Sequence, residues 1–222
     1  MSLRPAIRQN MPRGSVIETA PATEPVTAAE LRAHLNESAT GLPDAQANEF
    51  IAEARQYAED ITGLALITQS WRLSLDAWPL SRGEWWDGMR EGSIAELHGG
   101  MASLDLPRYP LQSITSITVY NEASNATAVT VADVFDVDAY SVPGRITLQG
   151  GATWPVATRA NNAIQIVYVA GYGAAGDVPA PLKAVIKRMA AYLYAHRGDG
   201  CDEAASAVGA LGMLRSYKLA RI

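Results

Sequence analysis

One cysteine, three histidines and two phenylalanines in 222 residues leave this chain short of the side chains on which much site chemistry depends. The lone Cys201 excludes an intramolecular disulfide framework and any cysteine-based zinc site, so it points to a reducing compartment, with the thiol read as incidental in a flexible segment. His34, His98 and His196 fall on two predicted helices and a glycine-rich loop, with no carboxylate or cysteine at ligand spacing, which argues against a metal centre. His196 is expected instead to finish its helix beside the negative end of the helix dipole. No run approaches the roughly 18 apolar residues of a membrane span. The opening residues, with Arg4, Pro5, Arg8, Pro12 and Arg13, lack the apolar stretch of a signal peptide, so a soluble, intracellular chain is expected. Cations are in deficit too: 18 Lys and Arg against 23 Asp and Glu give a net charge of -5, unsuited to a protein whose task is neutralising phosphates.

Catalytic teams are equally scarce. No G-x-S-x-G elbow appears, and nothing ties a serine to a histidine and an acid. Gly150-Gly151 and Gly171-Tyr172-Gly173 read as turns, because the residues after them give neither a P-loop nor a dinucleotide fingerprint. Asp133, Asp136 and Asp138 alternate along a short stretch without the twelve-position calcium pattern, and Glu84 and Asp87 sit in a glycine-rich loop where burial is hard to arrange. No catalytic residue, metal ligand or cofactor is assigned, and the expectation is a protein that is not an enzyme.

What the chain does have is a pair of matching amphipathic stripes far apart in sequence. Ala47, Phe50, Ile51, Ala54, Tyr57, Ala58 and Ile61 form the first, and Leu182, Val185, Ile186, Met189, Tyr192, Leu193 and His196 the second, each at i, i+3, i+4, i+7 spacing. Two such faces are expected to bury each other, making a small helical bundle from both ends of the chain. Ahead of the first stripe lies a complete helix start, with Thr27 as N-cap, Glu30 closing a capping box and Val26 placed to staple on Leu31. Asp44 opens the longer helix and Gly63 ends it, while Pro179 and Pro181 precede the last strong helix, Leu182 to Arg197.

Between the stripes the period changes to two. Trp71, Leu73, Leu75 and Ala77 alternate with polar residues, and further strands are expected at Ile94 to Leu97, Ile114 to Asn121, Ala128 to Val131, Ala139 to Val142, Arg145 to Gln149 and Ala163 to Ala170. The reading is an α+β fold: an extended arm over 1–25, a helical hairpin over 26–67, an inserted antiparallel β-rich domain over 68–176, a bundle helix over 177–198 and a docking segment over 199–222. Residues 203–215 could be helical, although Gly209 and Gly212 each cost about 1 kcal/mol relative to alanine in a helix interior.

Three groups stand out as contact candidates. Trp85 and Trp86 are large aromatics in a polar loop and suit a subunit or tail-side contact; with Trp154 they could alternatively form a stacking platform for a carbohydrate or other ligand. Lys183, Lys187 and Arg188 make a basic strip opposite the apolar face of the last strong helix, able to pair with an acidic neighbour. Leu211, Leu214, Tyr217, Leu219 and Ile222 are apolar residues on a weak terminal segment and are expected to seek a groove outside their own domain.

The runs VTAAELRAHLN, YAEDITGLALITQSWRLSLDAWP, LPRYPLQSITSITVY and AIQIVYVAGYG, followed by VPAPLKAVIKRMAAYLYAHRGD, together resemble the head-tail connector, or adaptor, proteins of long-tailed bacteriophages and gene transfer agents. The resemblance spans roughly Val26 to Gly198. It implies a homo-oligomeric ring, commonly dodecameric, that sits beneath the portal protein, continues the DNA channel without specific binding and supports a tail-side neck or stopper protein. It further implies a virion-neck location and portal docking through Leu211, Leu214, Tyr217, Leu219 and Ile222.

Overall fold

Thr27 opens the first helix as its side chain requires. In the computed structural model, which describes residues 14–78 and 103–218, its Oγ1 accepts from the Glu30 N–H at 3.1 Å and its own N–H donates to the Glu30 carboxylate at 2.8 Å. Val26 and Leu31, on either side of this cap, are buried. Helix α1 (Ala28–Leu35) ends at Asn36 in the left-handed region, and α2 (Asp44–Thr62) ends at Gly63, whose φ of 82° lets its N–H reach the Glu59 carbonyl at 2.8 Å. Helix α4 (Ala180–Ala195) lies on α2, with Leu182, Val185, Ile186, Met189 and Leu193 sharing one core with Ala47, Ile51, Ala54 and Ala58. Each leucine, valine, isoleucine or methionine side chain so buried contributes roughly 1.5–3 kcal/mol relative to exposure. Phe50 and Tyr194 close one flank edge to face, with centroids 6.3 Å apart.

The chain divides into two compact units, and crosses between them repeatedly. The helical unit comprises Thr19–Gln69, Arg108–Gln112 and Val169–Ile222. Its second feature is a buried carboxylate. Glu59 is 3% exposed, and one carboxylate oxygen accepts from the Leu66 N–H at 2.8 Å and from Gln69 Nε2 at 2.9 Å. The other takes Arg55 Nη1 at 2.7 Å, and Arg55 Nε reaches Glu24 at 2.7 Å. Burial pushes the Glu59 carboxyl up, against the opposing pull of Leu66, Arg55 and Gln69. The Arg55 guanidinium is penalised by burial too, but Glu24 and Glu59 outweigh this and raise it. Arg108 adds a bond from Nη1 to the Glu59 carbonyl at 2.8 Å and an ion pair to Asp60 at 2.9 Å, so residues 108–112 belong with the helices although strands flank them in sequence.

Among the described residues the β unit comprises 14–18, 70–78, 103–107 and 113–168. Strands β1 (Ser15–Thr19), β2 (Gln69–Leu75), β4 (Leu111–Tyr120), β5 (Ala126–Val129) and β8 (Ile164–Ala170) form one sheet in the order β1-β2-β8-β4-β5. Trp71, Leu73, Ile164, Ile166 and Tyr168 alternate inward with period two. A second sheet, β3-β7-β6, joins β3 (Ser103–Asp105), β7 (Arg145–Leu148) and β6 (Phe135–Asp138) in antiparallel register, with Phe135 opposite Leu148 and Val137 opposite Ile146. A single-turn helix α3 (Val131–Val134) leads into β6.

Within the extended arm expected over 1–25, Ser15–Thr19 is a strand, Ser74 donates its N–H to Gly14 at 3.1 Å, and Arg72 pairs with Glu18 at 3.3 Å. Its residues carry no inward apolar face of their own, so the pairing comes from the neighbouring strand rather than from any period in the arm. The stretch Ala139 to Val142 is a turn, not a strand. Asp138 accepts from the N–H groups of Tyr140 at 3.1 Å and Ser141 at 3.0 Å, which turns the backbone away from the ladder. The Ser141 hydrogen bonds, with those of Tyr140 and Arg145, hold the Asp138 carboxyl down at about 2. The expected strand at Ile94 to Leu97 lies outside the described residues.

Candidate functional site

The C-terminal segment folds back on its own helical unit. Gly209, with φ of 67°, breaks residues 201–215 into two short helices, α5 (Cys201–Ala207) and α6 (Ala210–Arg215), and both contact α2 and α4. Leu214 is 0% exposed within that core, and Leu211 and Tyr217 pack partly buried against it. The carbonyl of Tyr217 lies 3.5 Å from the Tyr109 hydroxyl, which also donates to Thr62. The expectation that these residues lack a groove in their own subunit is therefore corrected for Leu214. Of the two glycines that weaken one continuous helix, Gly209 is the joint between two and Gly212 lies within α6, and the joint redirects the apolar face inward. Leu219 and Ile222 lie outside the described residues.

Cys201 is also less free than its sequence context implies. Its Sγ lies 3.5 Å from Glu53 Oε1, and burial together with the Glu53 and Asp202 charges pushes the thiol up to about 12. His196 caps α4, its N–H donating to the Tyr192 carbonyl at 2.8 Å and its ring stacked on Tyr192 with centroids 4.1 Å apart. Among the described residues, no three His, Cys, Asp or Glu side chains are grouped to hold a metal ion, and no helix is long and apolar enough to cross a membrane.

The basic strip is in place on the helical unit. Lys183 and Lys187 are half-buried and Arg188 is exposed, with its Nη1 3.7 Å from Met213 Sδ on α6. Glu30 across on α1 sits below the usual carboxylate range, held there first by the Thr27 backbone hydrogen bond, with the charges of Lys187 and Lys183 adding to it. A shallow groove of about 730 Å³ runs beside α1 and α2, lined by Pro21, Ala22, Arg32, Ala45, Asn48 and Glu49 among others.

Trp85 and Trp86 lie outside the described residues. Trp154 stacks on Trp78 with centroids 4.7 Å apart and meets Phe135 at 5.6 Å, while Trp78 donates Nε1–H to the Pro155 carbonyl at 2.7 Å. One ring face of Trp154 is thus occupied by its own unit, a cluster that alternation and turn signals did not reveal because its members are distant in sequence.

No protein-family model matches the chain, and no curated protein does. Solved structures do. A chain in the neck of an empty gene transfer agent particle, computed with C6 symmetry, aligns at a TM-score of 0.70 and 22% identity over 94% of this chain and 97% of its own. A chain in the neck of a native gene transfer agent particle, computed with C12 symmetry, gives 0.68 and 23% over 93% and 97%. A chain in the virion of a native gene transfer agent particle gives 0.69 and 22% over 94% and 96%. The α+β fold of this chain, across nearly its whole length, is that of a gene transfer agent neck chain.

Proposed function

We propose that this chain is a structural subunit of the neck of a phage-like particle, a head-tail connector that assembles into a ring between head and tail. The observation that carries the reading is the end-to-end likeness to neck chains: 94% of this chain is matched with 97% of the neighbour, so helices, sheets and their connections recur together. The C12 symmetry in which one of those necks was computed supports a twelve-membered ring. In such a ring the portal protein lies on the head side, a neck or stopper protein on the tail side, and DNA passes through the channel without specific binding. The net charge of -5 suits a passage along which phosphates must slide, since each Lys or Arg contact would add salt-dependent adhesion.

Portal docking is assigned to the outer edge of the terminal segment, Leu211 and Tyr217 continuing to Leu219 and Ile222, with Leu214 holding that edge on its own core. Trp85, Trp86, Lys183, Lys187 and Arg188 remain the contact residues for neighbouring subunits or the tail-side partner. The role is mechanical and needs no cofactor. Producer cells that lack this chain are expected to accumulate filled heads and free tails that do not join, visible by negative-stain electron microscopy. Joined particles of normal number would refute the role.

A further inference from the structure

Two helices of the helical unit carry opposite charge on their exposed faces. Helix α4 holds Lys183, Lys187 and Arg188 and no acid anywhere between Ala180 and Ala195, and Arg215 of α6 and the following Lys218 extend the same sign. None of these five cations forms an ion pair among the described residues. Helix α2 is the reverse. Asp44, Glu49, Glu53 and Asp60 are exposed along it, and its one cation, Arg55, is committed to Glu24 and Glu59. Asp44 is met by Arg32 and Asp60 by Arg108, while Glu49 and Glu53 form no ion pair among the described residues, Glu53 facing only the Cys201 thiol. The buried stripes of α2 and α4 face one another, so the exposed faces of the two helices look away from each other.

Shape agrees with charge. The groove of about 730 Å³ beside α2 is floored by Ala45, Ala52 and Asn48, small side chains over which another helix can come close. The outer face of α4 is likewise small at Ala184 and Ala191, between which Lys187 and Arg188 project. A closed ring of identical chains needs two different, mutually complementary patches on each copy, repeated at every joint. An acidic groove on one side and a basic, small-residue helix face on the other meet that requirement within one unit.

We propose that the α2 groove of one copy receives the α4 face of a second copy of this chain, with Glu49 at the groove and Glu53, one turn further along α2, opposite Lys187 and Arg188 of the second. The inference rests on the ring reading above and names the joint within it.

The test is a charge swap between copies. E49K/E53K and K187E/R188E are made as separate chains, their folding is checked by circular dichroism and thermal melting, and self-association is measured by sedimentation velocity at about 0.1 M salt. Each variant alone is expected to lose association by roughly tenfold or more, and an equimolar mixture to regain it, because each reversed face then finds a matching one. Folded variants that associate as the wild type does, or a mixture that stays dissociated, would overturn the proposed joint. A second readout uses assembled necks carrying Glu49→Cys and Arg188→Cys on a Cys201→Ala background. Disulfide-linked ladders of this chain support the joint, and a ring seen by electron microscopy without cross-links removes the joint while leaving the ring. Necks with no ring of this chain would bring down the ring reading and the joint together.

Discussion

Glu59 is the residue on which the end of α2 and the start of β2 both depend, since its carboxylate ties Leu66, Gln69 and Arg55 to one point. Because burial raises this carboxyl above its ordinary 4.5, the folded protein holds the proton to higher pH than the unfolded chain does. The contribution of this group to stability is thus fullest below that ordinary value and declines as pH rises through the raised one. The stability of the wild type relative to Glu59→Gln, measured by urea unfolding across that window, is expected to fall with rising pH. A difference that grew with pH would show that Arg55 and the hydrogen bonds dominate instead. Cys201 offers an independent check at the same scale. With its thiol pushed up to about 12, alkylation at pH 8 is expected to run roughly a thousandfold slower in the folded protein than in urea. Comparable rates would place the thiol away from Glu53.

Among the elements, α1 begins with a reciprocal cap, and Thr27→Ala is expected to cost about 1 kcal/mol in chemical denaturation. Leu214 is a stronger probe, because it decides whether α6 belongs to its own subunit. Fully buried in the helical core, its replacement by alanine is expected to cost about 2–5 kcal/mol in the isolated chain. A near-neutral result would mean that the terminal segment docks elsewhere. The bounds of α2, the Thr27 cap, the Gly63 stop and the inward alternation of β2 and β8 were legible from sequence because each is a local effect with a short-range signature, whereas α4 starts and ends two residues earlier than expected. The return of α5 and α6 onto α2 and α4 was not legible, since it turns on a long-range contact and on Gly209 acting as a joint. The paired strand at Ser15–Thr19 was hidden for a related reason: its partner lies some fifty residues on, and nothing in its own pattern marks a buried face. The Asp138 turn was legible in principle, because an aspartate whose carboxylate accepts from the N–H groups two and three residues on is a known turn signal, but alternation in the same stretch concealed it.

At the scale of the whole molecule, two units built from interleaved stretches of chain and the opposite charge of α2 and α4 suit the repeated part proposed above. The candidate contact surfaces were partly legible: the basic strip on α4 follows from helical spacing alone, whereas the acidic groove beside α2 needs the fold, because Pro21 and Ala22 reach it from outside the helix. Single surface ion pairs contribute little each, but a ring repeats one joint many times, so modest contacts become a durable collar. The most direct measurement is cryo-electron microscopy of the neck of particles that carry this chain, at a resolution that traces α2 and α4. The account predicts a closed ring of this chain between head and tail, with the α2 face of each copy against α4 of the next. A neck built without this chain, or this chain found only in the shell or the tail tip, would contradict it.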